Sequence, residues 1–297
     1  MEKFYYSKFK SQKSQSAMEY LMTYGWAILI IAIVLVALFS LGIFNSANFA
    51  PRAQPGSCEV LRNPAETSLA GQCNGELPQY VAEFNGASSY IYANSSNLNG
   101  GMSQLTLAAW VKPNNFYSYM NIIHDESAYI LNLDSNNIIL FSIANLGGSW
   151  SYSLYATAPQ QINLGTWYFV SATWNGNEMY TYLNGQESGS TSTSSNSINV
   201  VSGPTDIGVW GTWNLCQACD VWNGSIANVQ IYNTSLSAND IQALYQEGIG
   251  GAPINVNNLV GWWPLNGNAN DYSGNGNSGT ATGITYTSAW TSGYSAP

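Results

Sequence analysis

TWYFVSATWNGNEMYTYLNG, residues 166–185, decides the fold class. Its two runs, TWYFVSATW and EMYTYLNG, are rich in β-branched and aromatic residues, which pack well on a pleated surface. Each run is followed by, or ends on, Asn-Gly. These residues tolerate the positive φ of a tight reversal, so Asn175-Gly176 and Asn184-Gly185 read as hairpin turns. The same pattern recurs on both sides, in QLTLAAWVKP (104–113), YILNL (129–133), NIILFSI (137–143) and GSIANVQIYN (224–233). Short strands at this spacing from Val81 onward predict a mainly β protein, a sandwich or jelly roll. One helix interrupts them, SLSANDIQALYQEG, with Ser237 as N-cap, Asp240 at the third position and Gly248 as terminator.

Composition sets the surroundings of this β body. Only 8% of the 297 residues are charged and the formal net charge is −9. Four of the seven basic residues fall in the first thirteen positions, so the remainder is strongly acidic. Nucleic acid is therefore not an expected partner, because phosphate binding needs clustered Lys and Arg. Ser, Asn, Thr, Gly and Tyr crowd the chain after residue 80, a hydroxyl-rich surface typical of a secreted protein. Cys58, Cys73, Cys216 and Cys219 form two local pairs, which in an exported body read as two disulfides. A shared four-thiolate zinc site is the competing reading of the CxxC at 216–219, and the fourteen-residue spacing of the first pair speaks against it.

The N-terminal part follows different rules. Every residue from Trp26 to Phe39 is apolar, and the run reaches Phe44 with only Ser40 and Gly42 interrupting. At ~1.5 Å per residue this run comes to roughly 28 Å, enough for a bilayer core and too long for an ordinary secretory signal. Lys3, Lys8, Lys10 and Lys13 precede it and only Arg52 follows closely, which keeps the N-terminus in the cytoplasm and exports the body. Glu19 at the leading edge is costly in hydrocarbon unless paired. Lys13, Ser14, Gln15, Glu19 and Tyr20 together resemble the class III signal of archaeal type IV pilins and archaellins, with Ser14 where the family usually has Gly or Ala. The resemblance implies cleavage by a prepilin peptidase before Gln15. It also implies pairing of the new amine with Glu19, and packing of the helix with copies of itself in a surface filament. A single-pass membrane anchor is the alternative. The expected organisation is a leader at 1–14, a transmembrane and filament-core helix at 15–48, a disulfide-containing collar at 49–80 and the β body at 81–297.

FNGASSYI (84–91), LAAWVKP (107–113), WYFVSATWNG (167–176), TYLNGQ (181–186) and NGSIANVQIYNTSLSANDI (223–241) resemble the laminin-G-like, concanavalin A-like jelly-roll family. The segment LVGWWPLNGNANDYSGNGNSGTATG (259–283) resembles the start of such domains but stands here at the end. A circular permutation accounts for this, with the first strand supplied by the tail, and jelly-roll termini lie close enough to permit it.

Glucanases of this fold carry a Glu-x-Asp-x-x-Glu arrangement, which is absent here, so binding is expected rather than catalysis. Asp125 and Glu126 are adjacent and point to opposite faces of a strand, and His124 has no nucleophile partner in sequence. Trp210, Trp213 and Trp222 flank the second cysteine pair amid Asn, Gly and Thr, the mixture of aromatic faces and amides a glycan site needs. Core packing is the alternative for them. No motif names a cofactor. A structural calcium ion has candidate ligands in Asp271, or in Asp125, Glu126 and Asp206, although Asp271 also suits a turn brace. Asn94, Asn223 and Asn233 sit in N-x-S/T sequons open to glycosylation on an exported surface. The sequence thus predicts a surface filament subunit with a lectin-like outer domain. A membrane-anchored carbohydrate-binding protein is the alternative, and an exported glycan hydrolase comes third.

Overall fold

The computed structural model describes Met22, residues 24–36 and residues 78–288, apart from 95, 99, 127, 145–149, 156–160, 194–196, 201–202 and 212–219. The chain divides into two compact units, Met1–Pro51 and Arg52–Pro297. In the first, residues 24–36 are helical with exposed side chains. Among the described residues no helix is long and apolar enough to cross a membrane, and the rest of the helix expected at 15–48 lies outside them. Lys13, Ser14, Gln15, Glu19 and Tyr20, and the collar up to residue 77 with Cys58 and Cys73, lie outside the described residues.

The second unit is a two-sheet β-sandwich. Its strands are β1 (Val81–Asn85), β2 (Tyr90–Ala93), β3 (Leu105–Pro113), β4 (Met120–Asp125), β5 (Tyr129–Leu133), β6 (Ile139–Ala144), β7 (Trp150–Tyr155), β8 (Tyr168–Trp174), β9 (Glu178–Leu183), β10 (Gln186–Ser192), β11 (Thr205–Ile207), β12 (Asn223–Tyr232), β13 (Leu259–Trp263), β14 (Thr280–Thr282) and β15 (Thr285–Thr287). One sheet runs β10-β9-β8-β3-β12-β1-β15, with β13 also paired to β12; the other runs β14-β2-β11-β4-β5-β6-β7. All pairings are antiparallel, and the alternate residues of both sheets meet in one apolar core that includes Leu107, Ala109, Val111, Leu131, Phe141 and Trp174.

The hairpin stretch folds as its residues dictate at one turn and departs at the other. Asn184 (φ 49°) and Gly185 (φ 76°) both take positive φ between β9 and β10, the two-residue turn whose twist matches the flanking strands. Trp174 pairs with Met179, so the loop at Asn175-Gly176 is longer than two residues. It is closed by the Asn175 side chain, which accepts from the backbone N–H groups of Asn177 and Glu178 at 2.9 and 2.8 Å.

The helix Ala238–Glu247 begins at Ser237 with a reciprocal capping box to Asp240 and stops at Gly248, whose φ is 90°. Its buried Ile241 and Leu244 join Trp110, Phe169, Tyr232 and Trp262 in a second apolar cluster, and Tyr245 stacks on Trp110 at 5.7 Å. This cluster seals the outer face of the larger sheet.

The tail is part of both sheets. β13 pairs β12, β15 pairs β1 and β14 pairs β2. β12 carries an irregularity at Asn228, whose φ is 51°. The Asn228 amide there accepts from Trp262 Nε1 at 2.8 Å and donates to the Gly251 carbonyl at 2.8 Å. Asp271 fastens the following loop by accepting from the N–H groups of Trp262, Ser273 and Asn277 at 3.0, 2.8 and 2.8 Å. Of the two readings of Asp271, these bonds are those of a turn brace.

Candidate functional site

Strand pairing lays a row of side chains across the outer face of the smaller sheet: Thr280, Tyr92, Asp206, His124, Ile130 and Ser142. His124 sits at its centre, fully buried, with Nδ1 3.6 Å from Asp206 and Nε2 3.7 Å from Glu126. The two carboxylates therefore flank opposite sides of one imidazole. Immediately after β11 the chain doubles back, because the Gly211 N–H donates to Asp206 Oδ2 at 3.1 Å. This places the Trp210 ring edge-on to His124 at 5.8 Å with 39% of its surface exposed. The half-buried Asp220 completes the acidic border. Burial raises its carboxyl above the ordinary value, while the His124 charge pulls it down. Asn121 is tied to it by Nδ2–H and N–H donation to the Asp220 carbonyl at 3.0 and 3.1 Å.

Asp125 belongs to the other face. It pairs with Thr205 across β4 and β11, accepts from the Thr205 hydroxyl at 2.8 Å, and points into the core beside Tyr129. Asp125 thus faces away from Asp206 and His124, which lie on the opposite face of the same sheet. Among the described residues no group of three or more His, Cys, Asp or Glu side chains is arranged to hold a metal ion.

Burial pushes the Asp125 carboxyl from 3.8 up to about 8; the Thr205 hydroxyl lowers it, and the charges of Asp206 and Glu126 add to the rise. Its Oδ1 has no hydrogen-bond partner, so the buried position accommodates the neutral acid and not the carboxylate. The folded-state value lies above the unfolded one, so the associated stability is fully present below about pH 4 and is lost as pH rises toward 8. The limiting slope is roughly 1.4 kcal/mol per pH unit. The melting temperature of the wild type is expected to fall over this window, and Asp125→Asn to flatten the fall. Identical pH profiles for the two proteins would contradict the assignment.

The remaining candidates separate by burial. Trp222 is fully buried in the main core, packed with β1 and β12 residues, which corrects its assignment as a ligand-stacking residue. Trp213, Cys216 and Cys219 lie outside the described residues. Asn94 and Asn233 are exposed, as glycosylation requires. Asn223 is half-buried, and its Nδ2–H donates to the Tyr117 hydroxyl at 3.1 Å, so its amide nitrogen is already engaged. Asn121, Asn132, Asp220 and Tyr92 escaped the sequence reading. They lie on β2, β4, β5 and the segment before β12 and meet only through pairing in the sheet, which no local pattern announces.

A sandwich of this topology, with a helix sealing one sheet and a polar outer face on the other, defines a jelly-roll domain of the lectin type. Residues 85–242, more than half of the chain, match the concanavalin A-like lectin/glucanases superfamily, and the chain belongs to this family. Among solved structures it is similar to a candidate carbohydrate-binding protein from Bacteroides ovatus, with 15% identity over 72% of this chain and a TM-score of 0.57. The match spans 61% of the length of that protein. It is also similar to the native heptameric SAP-like pentraxin of Limulus polyphemus, with 18% identity, a TM-score of 0.51, and coverage of 70% of this chain and 94% of the other. At such identities the likeness concerns the fold. No curated protein matches the sequence.

Proposed function

We propose that the β body binds carbohydrate on the outer face of its smaller sheet, at Trp210. The observation that carries this is an indole 39% exposed, held over His124 by the Gly211 to Asp206 hydrogen bond and bordered by polar groups. A flat aromatic beside hydrogen-bonding side chains stacks on the apolar face of a sugar ring while its hydroxyls are read at the rim. Membership of a lectin and glucanase family, and the likeness to the Bacteroides protein, support the same reading.

Hydrolysis is disfavoured by the arrangement of acids. Glycosidases place two carboxyl groups on either side of a sugar bond. Here Asp206 is fully buried, Asp125 faces the core, and only Glu126 and Asp220 retain accessible surface.

The test is a glycan array probed with the full chain in detergent, followed by Trp210→Ala. The variant is expected to lose binding while losing much less stability than deletion of a fully buried tryptophan costs. An array with no bound glycan, or a Trp210→Ala protein that binds normally, would refute the site.

We infer that this body is displayed at the cell surface by the N-terminal segment, in a filament of copies of the chain. The motif from Lys13 to Tyr20 motivates this inference, with a membrane anchor as the alternative. Mass spectrometry of the mature protein should find Gln15 at its N-terminus. An intact Met1, or cleavage after the apolar run, would eliminate the filament reading.

A further inference from the structure

Trp210 shares its face of the smaller sheet with two tyrosines. β2 alternates, with Ile91 and Ala93 buried in the core and Tyr90 and Tyr92 half-buried on the outer side. The two rings lie 6.4 Å apart, close to the i, i+2 step along a strand, and are tilted by 38°. Tyr92 is the cross-strand partner of Asp206, and Asp206 is in turn the cross-strand partner of His124. The Tyr92 position is therefore two strand spacings, roughly 10 Å, from that of His124, against whose ring Trp210 packs. The N–H of Gly211, the next residue after Trp210, donates to the Asp206 carboxylate between them. Beyond β2 stands β14, the last strand of this sheet, with Thr280 opposite Tyr92 and Thr282 opposite Tyr90, both exposed. This margin adds hydroxyl groups and no charge to the face, and it ends at a sheet edge.

Resting on the carbohydrate reading above, we propose that the site takes several consecutive sugars from a neutral, ribbon-like chain of the cellulose or chitin type, one stacked on Trp210 and others on Tyr92 and Tyr90. A single exposed indole would suffice for a terminal sugar. Two further aromatics, in a row that runs to a sheet edge, suit the interior of a chain whose ends continue past the domain. Chains of this type keep successive rings in a flat, gently twisting ribbon with apolar C–H faces, which matches aromatic rings set along a twisted strand. Starch-type chains coil away from such a surface. Tyr90, Tyr92, Thr280 and Thr282 carry no charge, which favours a neutral sugar, and the acidic Asp206 beside them repels sulfated and uronic acid chains. Once one ring is held, each further ring binds as an intramolecular event, so affinity climbs with chain length until the row is filled.

The experiment is calorimetric titration of the full chain in detergent with cellobiose and cellohexaose, and with the N-acetylated chitin dimer and hexamer. In at least one of the two series the hexamer is expected to bind at least tenfold more tightly than the dimer. Tyr92→Ala should bring hexamer binding down to the level of the dimer and leave dimer binding unchanged, which also shows that the variant is folded. Tyr90→Ala should act in the same direction with a smaller effect, and Tyr92→Phe, which keeps the ring, should retain most of the gain. Should Tyr92→Ala lose dimer binding as well, Tyr90→Ala decides alone. Equal affinity of dimer and hexamer in both series, or a gain with length that survives the tyrosine substitutions, would overturn the extended site while leaving carbohydrate binding at Trp210 intact. If neither hexamer binds while other glycans bind in a Trp210-dependent way, the ribbon-like chain falls and the carbohydrate reading stands; if no glycan binds at all, both fall together.

Discussion

A chain ending at Asn257 is expected not to fold. The cut removes β13, β14 and β15, which pair with β12, β2 and β1 respectively, and so opens edges in both sheets at once. Unpaired interior edges and bared core are an aggregation hazard as well as a loss of stability. The energetic scale agrees. Trp262 and Trp263 leave with the tail at 6% and 0% exposure, and each buried aromatic removed costs on the order of 3–5 kcal/mol, against a whole-domain stability of about 5–15 kcal/mol. Leu265 and the Asn228 to Trp262 hydrogen bond are lost with them. Circular dichroism and urea titration of the shortened chain should show no cooperative transition. A soluble fragment melting in one step would make the tail an appendage.

Trp222→Ala is expected to cost about 3–5 kcal/mol, the range for deleting a buried aromatic side chain from a packed core. The indole is fully buried, while its backbone N–H donates to the Gly208 carbonyl at 2.8 Å and its carbonyl accepts from Gly86 N–H at 3.0 Å. The residue therefore joins the β1–β2 connection, the segment after β11 and the start of β12. Trp222→Phe is expected to cost much less than alanine. Phenylalanine keeps most of the apolar volume and removes an indole N–H that is buried with no acceptor. Urea midpoints of the two variants decide this, and a Trp222→Ala protein within 1 kcal/mol of wild type would contradict the burial. The contrast with Trp210 is the informative part, since one of these tryptophans should govern stability and the other binding.

How much of this was readable in advance depends on what each segment exposes. YILNL corresponds residue for residue to β5, and the helix caps at Ser237 and Gly248 were legible, because apolar alternation and capping chemistry are local properties. β10, QESGSTS, has no apolar residue to mark it and is recognisable only through its pairing with β9. β11 is three residues long, and two of them, Thr205 and Asp206, are polar yet fully buried. Their burial follows from partners on β4, which no local pattern can encode. For the same reason Asp125, Glu126 and Asp206 looked like one set of ligands in sequence. Strand alternation separates the first of them onto the core face, and His124 parts the other two. The tryptophans near the second cysteine pair were likewise indistinguishable until burial separated Trp222 from Trp210.

The closing of both sheets by the tail also sets an order of events during translation. β1 leaves the ribosome long before β15 exists, and the pairing of Glu83 with Thr285 must wait for almost the whole body to be synthesised. Such long-range closure is slow to form and leaves the earlier strands without their native neighbours in the meantime. A nascent chain of this kind stays open until its last strands have been made. A product that terminates early remains in that open state, where proteases and chaperones can recognise it. Completion of the last strands thus acts as a proofreading step that separates finished molecules from unfinished ones.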